Sequence, residues 1–251
     1  MVSLDRRILW RLRRTFLGSQ LRRRKQYVEK VRGRAGLEVG GPSSVFGAGG
    51  PLELYAELGT LDNCDFSSAT VWRQQDAAFE FSPGKAPGRN YFCEGSCLEP
   101  VQNDAYDFVL SSHNLEHFAN PVKALREWSR VLRPGGALIL ALPNPRYTFD
   151  HRRKPTPVAH MLEDGERGTG EDDLTHLGEI LKLHDLALDP KAGERAAFEQ
   201  RSRENFANRC LHHHVFDQRT IRELLTAVGY QVESVDTAFP DHILALAVVP
   251  R

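Results

Sequence analysis

The chain has 251 residues, 41% hydrophobic and 26% charged, with 33 basic and 33 acidic side chains, a composition that supports one sizeable folded core with elaborations. No apolar run approaches the ~18 to 20 residues that cross a bilayer, and the Arg-studded start lacks the apolar core of a secretory signal, so a cytoplasmic protein is expected. The zero net charge hides an asymmetry: residues 1–34 carry twelve Lys/Arg against two acidic residues, which leaves the remainder at −10.

Residues 1–34 read as a basic, amphipathic helical arm. Leu4, Ile8, Leu12 and Phe16 recur every four residues with Arg on the other side, and a second helix is expected from Leu21 to about Val31. The arm has three readings: its apolar stripe packs on the domain, it lies on an anionic membrane surface, or it follows RNA phosphates. Packing is preferred, and nucleic acid comes last because the rest of the chain is acidic.

Gly36–Val39 is a short strand that runs into the small-residue turn Gly40-Gly41-Pro42-Ser43. A second candidate strand ends at Thr60-Leu61-Asp62, a third is Asn90–Glu94, and a fourth is Tyr106–Ser111. Val122, Leu125, Trp128 and Leu132 give a helix from Pro121 to Leu132, stopped by Arg133-Pro134-Gly135-Gly136. Ala137–Leu142 is a continuous apolar run, as in a strand covered on both faces. Strands alternating with helices argue for a mostly parallel α/β sheet. A helix at Thr220–Val228 precedes strands at Tyr230–Val235 and Ile243–Val249, whose short link permits only an antiparallel hairpin. Residues 145–215, rich in charge, Gly, Pro and His, interrupt the alternation with one clear helix near Asp173–Leu186. They form a candidate lid over the carboxyl ends of the strands.

Cys64, Cys93, Cys97 and Cys210 fall in different elements, and reduced thiols are expected rather than a disulfide framework or a zinc site. No metal site is expected elsewhere. Neighbouring side chains of His212-His213-His214 point to opposite faces of an extended chain, so the three do not share one ion.

Gly40 and Gly41 allow a ligand close to the backbone, and Asp62, twenty-two residues after Gly40, is placed to bind a ribose diol, with Asp65 as a competing candidate. Read with these, Tyr106–Phe118 (YDFVLSSHNLEHF) followed by Asn120-Pro121, and Val131–Ile139 (VLRPGGALI), resemble the class I, Rossmann-like S-adenosylmethionine-dependent methyltransferases of the ubiquinone and menaquinone biosynthesis type. The resemblance covers residues 35–144 and, more loosely, 214–249. It implies a seven-stranded sheet ending in an antiparallel strand, helices on both faces, and S-adenosylmethionine as cofactor.

By position, the resemblance assigns Glu38, Gly40 and Gly41 to the first cofactor loop, Asp62 to the ribose, Ser96 and Cys97 to the adenine, and Ser111, Ser112 and His113 to the methionine and reacting methyl. His113 is also the candidate general base, since a near-neutral imidazole suits proton removal. Two departures stand out: the loop is Gly-Gly-Pro-Ser rather than three spaced glycines, and Ser96 replaces an acidic residue.

The domain division expected is 1–34 arm, 35–144 with 216–251 cofactor domain, and 145–215 acceptor-binding lid. The activity expected is O-methylation of a small polar acceptor such as a sugar or glycan, with Asp150, Arg152, Arg153, Glu163, Asp164, Asp172 and Asp173 offering hydrogen bonds from the lid. The rivals are an RNA or protein methyltransferase that uses the arm and a non-catalytic S-adenosylmethionine-binding partner.

Overall fold

Eight strands form one sheet in a computed structural model that describes residues 21–71, 74, 76–238 and 241–251. They are β1 (Ala35–Val39), β2 (Thr60–Asp65), β3 (Ala78–Phe79), β4 (Gly88–Phe92), β5 (Tyr106–Ser112), β6 (Leu132–Pro143), β7 (Gln231–Ala238) and β8 (His242–Val248). Their order is β3-β4-β2-β1-β5-β6-β8-β7. β1 pairs in parallel with both β2 and β5, so the winding reverses beside it and opens a crevice at the carboxyl ends of these strands. β8 runs antiparallel to β6 and β7, as the short link before it requires. The seven expected strands are present. The two-residue β3, antiparallel to β4 at the sheet edge, is an addition too short to leave a pattern in the sequence.

Two apolar layers clamp the sheet. Along β6, Leu138, Leu140 and Leu142 enter one core while Ala137, Ile139 and Ala141 enter the other, the period-two alternation of a strand covered on both faces. The first core receives Val122, Leu125 and Trp128 of α2 (Pro121–Val131) and Ile221, Leu224 and Leu225 of α7 (Gln218–Ala227). Each helix has a side-chain cap: Asn120 accepts from the Lys123 amide, and Asp217 and Thr220 form a reciprocal capping box. Trp128 is fully buried, and its Nε1 donates to the Gly95 carbonyl at 2.8 Å, which fixes the loop after β4 to α2. Truncating so large a core side chain to Ala costs about 3–5 kcal/mol.

The second core takes Tyr27, Val28 and Val31 from α1 (Leu21–Val31). α1 is also held by the Gln26–Ser234 hydrogen bond at 2.9 Å and a Lys30–Glu233 ion pair. This part of the basic arm packs on the domain. The first expected helix, with Leu4, Ile8, Leu12 and Phe16, lies outside the described residues.

Residues 145–215 hold more helix than the sequence pattern suggests: α3 (Val158–Arg167), α4 (Leu177–Leu183), α5 (Arg195–Arg203) and α6 (Asn205–Asn208). Only Phe198 and Ser202 of α5 are buried, so it has almost no apolar period to read. A small core of Leu177, Ile180, Phe198 and Leu211 holds the segment together. So does buried Arg153, which donates to Asp150 Oδ1 at 3.0 Å and to the carbonyls of His212 and His213 at 2.8 and 3.1 Å. No helix among the described residues is long and apolar enough to cross a membrane.

Candidate functional site

A cavity of about 460 Å³ opens where the winding reverses, lined by the turn after β1, the ends of β2 and β5, the loop after β4, and residues of the 145–215 segment. That size suits a nucleoside-sized ligand with room beside it. Gly40 lines it with φ +83°, and a Cβ there would press on the Asn114 side chain at 3.1 Å. Gly95 is as tightly placed, its absent Cβ lying 2.8 Å from Val39 Cγ1 and 2.9 Å from Phe118 Cζ. The two glycines keep the lining thin at the turn after β1 and at the loop after β4.

The strand frame decides which carboxylate faces the cavity. β2 begins at Thr60 and runs to Asp65, three residues beyond the expected end at Asp62. Asp65 therefore stands at the carboxyl end and lines the cavity, with Phe66 beside it. Asp62 sits earlier in the strand, accepting from the Tyr106 hydroxyl at 2.6 Å and the Arg89 amide at 2.7 Å, and is not part of the lining. Of the two carboxylates expected near a ribose, Asp65 therefore faces the cavity, whereas Asp62 holds β5 and β4 to β2.

Of the other expected contacts, Gly40, Ser112 and His113 line the cavity, whereas Glu38, Gly41, Ser96, Cys97 and Ser111 do not. Glu38 is buried behind the turn, where Tyr55 Oη donates to its Oε2 at 2.7 Å and accepts from the Ser43 amide at 2.5 Å. The Gly41 amide is taken by Asn63 Oδ1 at 2.8 Å, so both residues shape the turn from behind. Ser111 Oγ donates to the Val39 carbonyl at 3.3 Å, locking β5 to β1. Ser96 is buried, and Cys97 Sγ turns to Glu99. At that wall the lining comes from Glu94 and Gly95, the two residues before Ser96.

The 145–215 segment supplies Glu171, Lys191 and Arg209 to the lining. Arg209 lies over the Phe66 ring at 5.4 Å and pairs with Glu94 at 2.6 Å, closing the cavity above β2 and β4. Burial pushes the Glu171 carboxyl up to about 7, against the opposing Ala119 amide and Arg209. Sequence reasoning missed these residues, since isolated charges in an irregular segment carry no spacing signal. Asp150, Arg153 and Asp164, expected to offer hydrogen bonds to an acceptor, are instead buried within the segment itself.

His113 leaves the end of β5 with φ +48°, a rare conformation for a side chain other than glycine, and its amide bonds the Ala141 carbonyl at 2.8 Å. Its Nε2 meets His242 Nδ1 at 2.8 Å, so two imidazoles from β5 and β8 border the cavity as a hydrogen-bonded pair. The ring opens onto the cavity, yet enclosure by protein, then His242 and His212, depress its pKa to about 3. It is neutral at physiological pH and can accept a hydrogen bond. His117 also lines the cavity, its Nδ1 facing the Leu211 carbonyl at 3.0 Å, with the His212 ring edge-on behind it. Although burial opposes it, the Asp150 carboxylate, 2.5 Å from His212 Nδ1, raises the pKa of His212. Glu116 is buried alongside, and burial pushes its carboxyl up to about 7.

Residues 45–140 match the methyltransferase domain family. The chain is 38% identical over 90 residues to a probable methyltransferase of Aspergillus luteorubrus, and 41% identical over 64 residues to the demethylmenaquinone methyltransferase of Chlamydia pneumoniae. These matches cover 34% and 25% of this chain, and 32% and 26% of the two relatives, so they span about a third or less of each curated protein. Across most of its length the chain shares its fold with the S-adenosylmethionine-dependent methyltransferase of Mesorhizobium loti, at a TM-score of 0.51 and 16% identity over 92% of this chain and 98% of that one.

Proposed function

We propose, from the premise that this chain carries a methyltransferase domain with the class I, Rossmann-like, S-adenosylmethionine-dependent fold, that it transfers the methyl group of S-adenosylmethionine to a hydroxyl of a small polar acceptor such as a sugar or glycan. The observation that carries this reading is one cavity with a carboxylate, an aromatic ring and side-chain-free backbone (Asp65, Phe66, Gly40, Gly95) in its lining, bordered by the imidazole pair His113–His242.

The residues present fit the cofactor. Asp65 offers a carboxylate to two vicinal hydroxyls, Phe66 an aromatic face, Gly95 a thin wall, and Gly40 a backbone free of a side chain. Ser112 and His113 then border the reacting end. When bound, the cofactor supplies a methyl group activated by its positive sulfonium. The protein's task is to hold the acceptor in line and keep its oxygen desolvated. His113 would take the acceptor hydroxyl's proton as the oxygen bonds the methyl carbon and the sulfur–methyl bond breaks, and the hydrogen-bonded His113–His242 pair would pass it on to solvent, with His242 fixing the orientation of the His113 ring. Glu171, Lys191 and His117 add polar groups to the same lining, which favours a hydroxyl-rich acceptor over a greasy quinone.

The test is release of S-adenosylhomocysteine against a panel of sugars, glycans and quinols, run with wild type and His113→Ala. Turnover on a hydroxylated polar acceptor, reduced on the order of 100-fold in the variant with cofactor affinity preserved, is the expected result. Turnover only on quinols would overturn the acceptor class, and unchanged turnover in the variant would remove His113 from the reaction.

A further inference from the structure

Away from the cavity, three histidines and an aspartate converge from three parts of the 145–215 segment. His160 and Asp164 lie one turn apart on α3, His176 immediately precedes α4, and His214 comes from the extended stretch before α7. One ligand atom from each falls within 4.8 Å of the others. Separations between individual atoms are shorter: His160 Nε2 to His176 Nε2 is 3.0 Å, His160 Nε2 to Asp164 Oδ2 is 3.5 Å, and His214 Nε2 to Asp164 Oδ2 is 3.7 Å, with His214 Nε2 also facing the Ala119 carbonyl at 3.2 Å, a contact it would give up to a cation. Four ligands at about 2.0–2.1 Å around a tetrahedral zinc ion stand roughly 3.4 Å apart, so the three distances bracket the edge of such a tetrahedron. The rings are steeply inclined to one another, at 90° for His160 and His176, 74° for His176 and His214, and 62° for His160 and His214. That is the fan of rings around a common point, not a stack.

Asp164 supplies an independent sign. It is 7% exposed, its Oδ1 accepts from Thr169 Oγ1 at 3.2 Å, and its Oδ2, aimed into the cluster, has no hydrogen-bond partner. A buried carboxylate oxygen left bare costs about 1–3 kcal/mol or more, and a cation at the centre of the cluster removes that cost. Asn120 Nδ2 donates to the Asp164 backbone carbonyl at 3.0 Å, which with the Thr169 contact fixes the aspartate from outside the cluster.

We propose that His160, Asp164, His176 and His214 form a closed, four-coordinate site for a divalent transition metal, zinc by ligand type, that pins α3, the start of α4 and the 211–215 stretch together. The donor set of three imidazoles and one carboxylate suits zinc rather than calcium or magnesium, which take oxygen. With four protein ligands the ion is structural and leaves no position for substrate. His160, with about a third of its side chain exposed, is the side from which the ion enters. The site departs from the sequence expectation of no metal. His212 faces Asp150 and His213 faces Asn205, so the three adjacent histidines still serve three different surroundings.

The test is metal content by mass spectrometry of the full chain purified without chelator, together with the absorption spectrum of the chelated protein refilled with Co²⁺. One zinc per chain is expected, with the intense visible bands of four-coordinate cobalt. His160→Gln changes the most exposed ligand and so spares the core, and it should weaken Zn²⁺ affinity at least about 100-fold while circular dichroism stays native. Asp164→Asn should abolish stoichiometric binding. A folded wild type that binds less than a tenth of an equivalent of added Zn²⁺ overturns the proposal. So does full zinc occupancy in both variants, which would move the ion to another cluster, as would a six-coordinate cobalt spectrum.

Discussion

Asp65→Asn and Asp62→Asn should have opposite effects, although the two residues share one strand and lie three positions apart. Asp65 closes β2 at the cavity, with Oδ1 held by the Phe66 amide at 2.9 Å, and its carboxylate is the acceptor for two ribose hydroxyls in the proposed complex. A hydrogen bond to a charged acceptor contributes about 1.5 kcal/mol at the lower end, so loss of the charge on two such bonds costs about 3 kcal/mol, roughly 100-fold in the dissociation constant for S-adenosylhomocysteine. Asp62 instead accepts from Tyr106 and the Arg89 amide within the sheet. Asp62→Asn should therefore lower stability by about 1–2 kcal/mol and leave cofactor affinity within about 2-fold. Calorimetric titration and thermal melts of both proteins make the comparison. Loss of affinity in Asp62→Asn with retention in Asp65→Asn would refute the assignment of strand frame to function.

Tyr55→Phe removes the hydroxyl that joins buried Glu38 to the Ser43 amide. It should cost about 2 kcal/mol and lower Tm by about 4–8 °C in differential scanning calorimetry, and an unchanged Tm would show that Glu38 does not need this donor. Burial pushes the Glu171 carboxyl up to about 7 from its ordinary 4.5, so the folded state binds the extra proton between those values. Stability should then fall as pH rises from about 4.5 to about 7 and level off above, by on the order of 2 kcal/mol after allowance for partial exposure. Glu171→Gln should flatten that slope in denaturant titrations at several pH values. Equal slopes in the two proteins would place the titration elsewhere.

The sheet was legible because its signals are local and repeated. The apolar run Ala137–Leu142 and the short link before His242 each fix one feature of the topology, and the structure has both; the expected stop at Arg133–Gly136 differs, since the helix ends at Val131 and these four residues already belong to β6. The motif that carries Ser112 and His113 runs off the end of β5, and both residues line the cavity there. Asp65 was harder because strand ends depend on pairing: Val39 pairs with Cys64, which extends β2 past Asp62, and no property of Leu61–Asp65 read alone says so. Ser96 and Cys97 were misplaced by the same kind of slip, one or two residues in the loop after β4. The 145–215 segment was least legible. Its order rests on buried charge, such as Arg153 between Asp150 and two carbonyls, and on single apolar anchors such as Phe198. Contacts between distant positions leave no period in the sequence.

The most direct measurement is calorimetric titration of the purified full chain with S-adenosylmethionine and S-adenosylhomocysteine, with NADH as control. The account predicts one site per chain for each sulfur compound, no heat with NADH, and a loss of about 100-fold in affinity in Asp65→Asn. A folded protein that gives no binding heat with either compound at any temperature tested, and no thermal shift in their presence, would contradict it.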